Sequence, residues 1–522
     1  MPGGERLRDE SGEQAEVVAF LESPAAHEGE RVTRIDTHSA FVFLAGTRAW
    51  KLKRAVRYDY LDFSTPELRR AACEREVRLN APAAPGLYRG VVPVVRRPGG
   101  GLAVGGPGDP VDWCVEMNRF DEDGLFDRLA ARHQLGLEIM PPLAAAIARF
   151  HDAAERRSDH GGAAGMTWVA RGNAAGFAAF GETCLDPAAC RVLTDETLAE
   201  IARHTGLLER RRTGGMVRQC HGDLHLRNIV LLHGRPTLFD AVEFNDEIAC
   251  TDVLYDVAFL LMDLWRRRLY THANAVWNAY LGETGDVAGL PLLPLFLSCR
   301  AGVRAKTSAT AARVQPGPEA RGELERAAAE YLAMARAFLH PPPPSLVAVG
   351  GFSGTGKSTL ARALAPALGA VPGALALRSD EIRKRLHGAP LLEPLPADAY
   401  SSEASRQVYD ALIERASAVV RSGCSTVVDA VFARPADREA IERVAVDAGV
   451  PFTGLWLDAP VNVAVERLRT RHGDPSDADE AVLDRQLGQG TGAIGWKRLD
   501  ASGSPSVVRD AALGLLDPGG PR

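Results

Sequence analysis

Residues 346–360 run LVAVGGFSGTGKSTL, and this stretch decides half of the fold. Leu346–Val349 is a short apolar run that reads as a buried strand, and from Ser358 the chain takes up helical spacing. Between them, Gly351-x-x-x-x-Gly356-Lys357-Ser358 has all three contexts of a phosphate-binding loop: strand, glycine-rich turn, helix. The glycines Gly351, Gly354 and Gly356 let backbone N–H groups close around a β-phosphate, and the helix N-terminus adds its dipole. Ser353, Thr355 and Thr359 complete the cradle. Lys357 is expected to bridge β- and γ-phosphates of ATP, with Ser358 as a Mg²⁺ ligand.

The segments downstream continue an α/β pattern. Ser425–Asp429 (STVVD) is an apolar run ending in an acid, which makes Asp429 a second expected metal ligand. Ala376–Arg383 (ALRSDEIR) passes from strand to helix and carries Asp380 and Arg383. Phe452–Asp458 reads as another buried strand. Arg467 and Arg471 stand four apart on one expected helix face, ahead of a polar Asp/Ser segment, and Arg438 in RPADREAI is a further candidate phosphate or acceptor contact. Residues 346–500 are therefore expected to form an α/β domain with a parallel sheet, and 501–522 a loose tail.

Upstream, His340 is followed by Pro341–Pro344, a semi-rigid spacer that no helix or central strand can contain. This places a linker at 340–345. The 1–28 segment is a candidate flexible extension. Residues 29–118 read as short strands around one helix (66–80), and residues 119–339 are mostly helical, so a small sheet-rich lobe precedes a helical one.

The first half has its own chemical stretch, residues 220–245, CHGDLHLRNIVLLHGRPTLFDAVEFN. Asp223 and Asn228 stand five apart, and a hairpin-like pair of apolar runs leads to Asp240. Two acids and an amide brought together suit a hard Mg²⁺ ion that also holds phosphate oxygens. Trp50-Lys51-Leu52-Lys53 is a strand candidate with both lysines on one face. Lysine is rare here (51, 53, 306, 357, 384 and 497), and a compact ammonium does what an Arg fork cannot at a crowded phosphate. A resemblance to kinases, set out below, implies a nucleotide-contacting lysine on this strand, for which Lys51 is preferred over Lys53, and a helix partner, for which Glu76 is preferred over Glu74.

Composition excludes several classes. Across 522 residues the net charge is −6, so no global positive field draws the chain to nucleic acid or anionic lipid. The 8 cysteines show no metal-ligand pairing and no disulfide-framework spacing. No apolar run approaches the ~20 residues that span a bilayer, and the polar, acidic start MPGGERLRDESGEQ has no signal-peptide core. A cytoplasmic setting is expected.

The order of these motifs resembles eukaryotic-type kinases, and His-Gly-Asp resembles the aminoglycoside phosphotransferase and choline kinase branch. The resemblance implies that Asp223 is the catalytic base, Asn228 and Asp240 are Mg²⁺ ligands and His221 supports the loop. It also implies a protein-kinase-like bilobal α+β domain over 29–339, with Asp252 and Asp256 as scaffold. Asp246 and Glu247 are left between solvent and substrate. Val115–Asn118 resembles the hinge that meets adenine through Met117, although a plain strand end fits as well. In place of a glycine-rich loop stands only Asp36-Thr37-His38-Ser39-Ala40. The C-terminal half is similar to small P-loop kinases of the polynucleotide kinase and zeta-toxin type. By that likeness Asp380 acts on the acceptor hydroxyl, Arg383 holds acceptor, and Arg467 and Arg471 cover the γ-phosphate. The whole chain resembles a bacterial fusion of the two.

The expected function is a bifunctional ATP- and Mg²⁺-dependent kinase phosphorylating hydroxyls of small molecules. The acids Asp121, Glu122, Asp123 and Asp127 suit either a cationic acceptor or plain solvation. Two other readings stand beside this one: a nucleotide-binding half that regulates a catalytic P-loop half, and a nucleic-acid 5′-end kinase. The second lacks the interleaved aromatic and basic residues that single strands need.

Overall fold

A computed structural model describes residues 12–516 apart from 59, 181–183 and 472. It divides into two compact units, the first running up to Ala175 and including Leu198–Asp263, the second holding Gly176–Thr197 and the chain from Leu264 onward.

In the first unit, six strands form an antiparallel sheet in the order Val32–Asp36, Ala40–Ala45, Arg48–Lys53, Asp109–Asn118, Tyr88–Arg96, Leu102–Val104. Period-2 alternation sorts its side chains. Phe41, Phe43, Trp50 and Leu52 are buried on one face with Val17, Val18 and Leu21 of the helix Gly12–Glu22. Ala49, Val115 and Met117 lie on the other face with Cys73 of the helix Pro66–Asn80. Thr65 caps that helix through the N–H of Leu68, and Pro66 starts it. Arg69, almost without exposure, anchors it by a two-pronged pair to Asp112 at 2.7 and 2.9 Å.

The N-terminal segment departs from expectation. Residues 1–11 lie outside the described residues, but Gly12–Glu22 is a core helix, and the Gln14 amide donates to the Lys53 carbonyl at 3.0 Å and to Asp112 at 3.1 Å. Beyond the sheet, the hairpin Ile229–Leu232/Arg235–Leu238 follows the His-Gly-Asp segment as the sequence suggests. The helix Val253–Arg266 comes soon after. An antiparallel sheet with a lysine strand, a packed helix and a later hairpin after the His-Gly-Asp segment is a protein-kinase-like arrangement.

In the second unit, five parallel strands take the order Leu375–Arg378, Thr426–Asp429, Leu346–Gly350, Phe452–Asp458, Lys497–Asp500. The chain starts in the middle strand and winds to both sides, so the crevice at the carboxyl ends opens where the phosphate-binding loop emerges. The expected tail is part of this domain: Val508 and Ala512 of the helix Pro505–Leu516 join Val347, Leu360 and Leu455 in its core. Residues 517–522 lie outside the described residues.

The proline run carries neither helix nor strand, and the compact units do not divide there. Helices Tyr270–Thr284, Leu293–Val314 and Pro318–Leu339 belong with the P-loop part. The reason is at the sheet edge, where Leu375–Arg378 would otherwise present open backbone groups. Asn274 donates to the carbonyls of Pro372 (3.1 Å) and Ala374 (3.0 Å), while Asn278 donates to Ala374 (3.2 Å) and accepts the N–H of Ala376 (2.8 Å). Two helix amides thus take the place of a neighbouring strand. The stretch Val287–Val314 is long and apolar enough to cross a bilayer by length and composition, yet 67% of its most apolar window is buried.

Replacing Asn278 by Ala removes the acceptor for the Ala376 N–H. Hydrogen exchange in a peptide covering 374–378 is expected to quicken about tenfold, the equivalent of one lost hydrogen bond, while peptides of the six-stranded sheet keep their protection.

Candidate active sites

The strand Arg48–Lys53 points Lys51 and Lys53 at the same buried carboxylate. Lys51 Nζ donates to Glu76 Oε1 at 2.9 Å and also to Asp240; Lys53 Nζ donates to Glu76 Oε2 and to Glu243. Glu76 has no exposure, whereas Glu74 is half exposed and pairs with Arg70. Burial alone would lower the pKa of Lys51, but Asp240 and Glu76 outweigh it and raise it well above the usual lysine value. For Asp240 the balance is mirrored: burial raises its pKa, the Lys51 ammonium outweighs this, and the carboxyl stays below the ordinary aspartate value. Glu243 is pushed up by burial and by its neighbour Glu76, against the pull of Lys53. The sequence reading missed Glu243, whose only signal was its place three residues after Asp240.

The loop that carries Asp223 is fixed from beneath. Asp256, fully buried, accepts the N–H groups of His221 (3.1 Å) and Gly222 (2.8 Å) and pairs with His151 Nε2 (3.1 Å). Burial lowers the His221 pKa, and its Nε2 reaches the Phe239 carbonyl at 2.9 Å, an acceptor only, so Nε2 carries the proton of a neutral ring. Asp252 pairs with Arg211 at 2.7 and 2.8 Å, and Asp263, not singled out in the sequence, accepts the Leu226 N–H at 3.1 Å. Asn228 Nδ2 donates to the carbonyl (2.9 Å) and to the carboxylate (3.0 Å) of Asp223. Asp240 sits in the left-handed region at φ 61°, which is costly for a non-glycine residue, and is locked there by Tyr88 Oη on its own N–H and Asn80 on the N–H of Ala241.

Around this centre several expectations change. Met117 is buried next to the end of the strand Asp109–Asn118, paired with Ala49 on one side and Tyr88 on the other. The Asp36–Ala40 segment is closed by Thr37, whose hydroxyl bonds both the carbonyl and the N–H of Ala40 at 2.9 Å, and it brings His38 within the fields of Asp223 and Asp240. The acids near the loop have arginine partners: Glu122 with Arg128, Asp123 with Arg132 at 2.8 Å, Asp127 with Arg227 at 3.6 Å, while Asp121 caps a short helix. Asp246 is held by Arg75 and by Arg157 at 3.1 Å. Glu247 remains half exposed.

In the second unit the loop 351–358 adopts the shape its glycines allow. A Cβ on Gly351 (φ 142°) would stand 2.8 Å from the Leu457 carbonyl, and one on Gly354 (φ 81°) 2.5 Å from that of Ala464. Thr355 and Lys357 Nζ (3.0 Å) both bond the Phe352 carbonyl, the N–H of Ser353 is taken by the Gln486 side chain at 2.9 Å, and Thr359 is exposed on the first helical turn. Ser358 Oγ donates to Asp429. Burial lowers the Lys357 pKa against the opposing fields of Asp429 and Asp380. Burial raises Asp380, and Asp429 adds to it, while Arg378 and Lys357 pull the other way.

The largest omission of the sequence reading is Arg378. It is 4% exposed and reaches Asp429 (3.3 Å), Ser358 Oγ (3.0 Å), Asp474 (3.1 Å) and Glu381 (3.3 Å). Asp477, from the same polar segment as Asp474, binds Lys384 at 2.6 and 2.8 Å, the N–H of Leu395 at 3.0 Å and the Tyr400 hydroxyl. The Asp/Ser segment is thus clamped on both flanks of Asp380.

Of the arginines named from sequence, Arg467 lies at the loop, 3.4 Å from the Thr355 carbonyl. Arg471 does not share its helix face: the helix ends at Thr470, and Arg471 folds onto the carbonyls of Ser476 and Ala478. Arg383 is buried over the Tyr400 ring and donates to the Ala399 carbonyl at 2.6 Å, with Nε unpartnered among the described residues. The expected acceptor role of Arg438 is overturned. Its guanidinium is 4% exposed and spent on the carbonyls of Phe432, Ala433, Thr491 and Ala493 at 2.7–3.0 Å.

These two centres stand in a chain that sets a protein-kinase-like arrangement ahead of a P-loop domain with a parallel sheet. A family described as an AAA domain matches residues 346–491. Uncharacterized protein Rv2004c of Mycobacterium tuberculosis is 32% identical over 485 residues, covering 90% of this chain and 92% of the relative, and uncharacterized protein Mb2027c of Mycobacterium bovis matches to the same extent. The chain belongs to the family of these mycobacterial proteins. Adenylyl-sulfate kinase of Myxococcus xanthus is 27% identical over 117 residues, 22% of this chain and 59% of that enzyme. Among solved structures, the amicoumacin kinase hAmiN is similar with a TM-score of 0.39 and 15% identity over 62% of this chain and 93% of that one. A sugar kinase from Janibacter is similar with a TM-score of 0.27 and 24% identity over 34% and 95%.

Arg438→Met is expected to lower thermal stability by about 3 kcal/mol, since four buried carbonyls lose their donor. Nucleotide affinity, measured by titration calorimetry at a temperature where the variant is folded, should stay at the parent value.

Proposed function

We propose that the chain transfers the γ-phosphoryl group of ATP to hydroxyls of small-molecule acceptors at two separate Mg²⁺-dependent sites in the cytoplasm. One observation carries this reading: each centre sets a lysine beside a group of hard oxygen donors and a carboxylate able to take a hydroxyl proton. In the first centre these are Lys51, then Asp240 and Asn228, then Asp223. In the second they are Lys357, then Ser358 and Asp429, then Asp380.

The donor sets fit magnesium, which takes oxygen ligands. Asn228 spends its Nδ2 on Asp223 and keeps its carbonyl oxygen for a cation. Magnesium, when bound, supplies charge neutralisation for the phosphate oxygens. The rest of the work falls to side chains of this chain. Lys51 and Lys357 meet phosphate charge, and Asp223, about two-fifths exposed, faces solvent from which an acceptor hydroxyl can approach. Asp256 and Asn228 keep Asp223 in place. Arg383, whose Nε has no partner among the described residues, orients acceptor at the second centre.

ADP release with Mg²⁺ across aminoglycosides, amino sugars, nucleosides and 5′-hydroxyl oligonucleotides tests the proposal. Asp223→Asn and Lys357→Ala are each expected to abolish turnover of a different acceptor, by a factor of 10² or more, roughly the weight of a general base or a phosphate lysine. Loss of all turnover in Lys357→Ala with none in Asp223→Asn would make the first half a binding module.

The second centre should also show an acid limb. Asp380 must be ionised to accept a proton, and its pKa is raised, so protonation sets in at a higher pH than for an ordinary aspartate. In the Asp223→Asn chain, kcat/KM is expected to fall as pH drops through a point above the usual aspartate range. A flat profile down to that range would remove Asp380 from the base role.

A further inference from the structure

The lysine strand presents two ammonium groups to one carboxylate, and their second partners differ. Lys51 shares Glu76 with Asp240; Lys53 shares it with Glu243. Side-chain exposure runs in one direction through this ring. Lys53 (3%), Glu243 (4%) and Glu76 (0%) are sealed, whereas Lys51 (13%) and Asp240 (42%) are more exposed, and Asp240 lies within the field of Asp223. Phe63 packs 5.4 Å from Lys53 Nζ, and the Lys53 carbonyl is held by Gln14, so the sealed half is anchored on two sides.

We propose that Lys53 and Glu243 are positioning residues that keep Glu76 compensated, so that Lys51 can move onto the phosphates of a bound nucleotide. This rests on the proposal that the first centre binds ATP. The physical reason is the burial of Glu76. A carboxylate with no access to water cannot be left without a counter-charge. If Lys51 were its one partner, each shift of that ammonium toward phosphate would weaken the compensation of Glu76. With Lys53 in place the second oxygen stays paired. Glu243 holds Lys53 in the sealed half, where it cannot follow Lys51 outward.

The test uses the full chain carrying Lys357→Ala to silence the second site, with two readouts: Mg·ATP affinity by calorimetry and the thermal midpoint. Lys51→Met should lose affinity by tenfold or more with the midpoint little changed. Lys53→Met should lose both affinity and stability. The decisive variant is Lys53→Met/Glu243→Gln, which removes one charge of each sign. Its midpoint should recover toward the parent while affinity stays about tenfold weak, because Glu76 again depends on Lys51 alone. Recovery of affinity together with stability would reduce Lys53 and Glu243 to packing and overturn the inference. If the double variant does not fold, Glu243→Gln decides: Lys53 is no longer held in the sealed half and Glu76 leans more on Lys51, so affinity should fall by about threefold or more, and affinity at the parent value would overturn the inference. Unchanged affinity in Lys51→Met would instead remove the nucleotide from the first centre, which is the reading beneath this one.

Discussion

Buried charge must be compensated, and in this chain the compensation is arranged where phosphate and metal are expected to bind. Glu76 is the clearest case. It lies on the helix Pro66–Asn80, has no contact with solvent and is paired at both oxygens. That requirement fixes the register of the lysine strand, since a shift of one residue would turn both lysines to the opposite face and leave the carboxylate bare. The same requirement reaches Asp240 and Glu243, and through Asp240 it reaches the loop of Asp223 and Asn228. The first centre is thus built outward from one carboxylate.

The second centre repeats the principle with different chemistry. Arg378 stands at the end of its strand, level with Asp429 in the next one, and touches Ser358, the hydroxyl expected to face a cation. Its other partner, Asp474, belongs to the segment that also supplies Asp477 to Lys384. A protein cation therefore sits between Ser358 and Asp429, and Lys357 rests on a backbone carbonyl. On the proposed reading, nucleotide and metal binding at both centres would exchange protein contacts for phosphate and metal contacts. The affinity is a difference between two compensated states, smaller than a count of new contacts suggests.

Legibility followed the range of the interactions. The phosphate loop and the His-Gly-Asp segment were readable because their geometry is local: glycines where a Cβ would strike a carbonyl, an amide five residues from its aspartate. Glu76 was readable because the kinase likeness calls for a helix glutamate beside a strand lysine, and the strand period put Lys51 and Lys53 on one face. Arg378 was quoted but given no role, since its partners Asp429 and Asp474 stand far away in the chain and nothing local marks them. Arg438 misled for the converse reason. An arginine in a polar helix reads as a free cation, and only the fold shows four carbonyls converging on it. The unit division was hidden likewise, because Asn274 and Asn278 look like ordinary polar residues until a strand edge lies beside them.

The scarcity of lysine acquires a physical meaning from these contacts. Lys51, Lys53, Lys357 and Lys384 are all held in buried or half-buried polar settings, in a chain that otherwise uses arginine for positive charge. An ammonium is compact and donates in three directions, so two of them can share one carboxylate from alternate positions of a strand. Two planar guanidiniums would demand one oxygen pair each and could not both close on Glu76. Arginine instead occupies places where a fork is wanted, as Arg69 on Asp112 and Arg211 on Asp252. The choice between the two cations thus separates sites where charge must be shared or passed on from sites where it must be pinned, and it places Lys51 among the former.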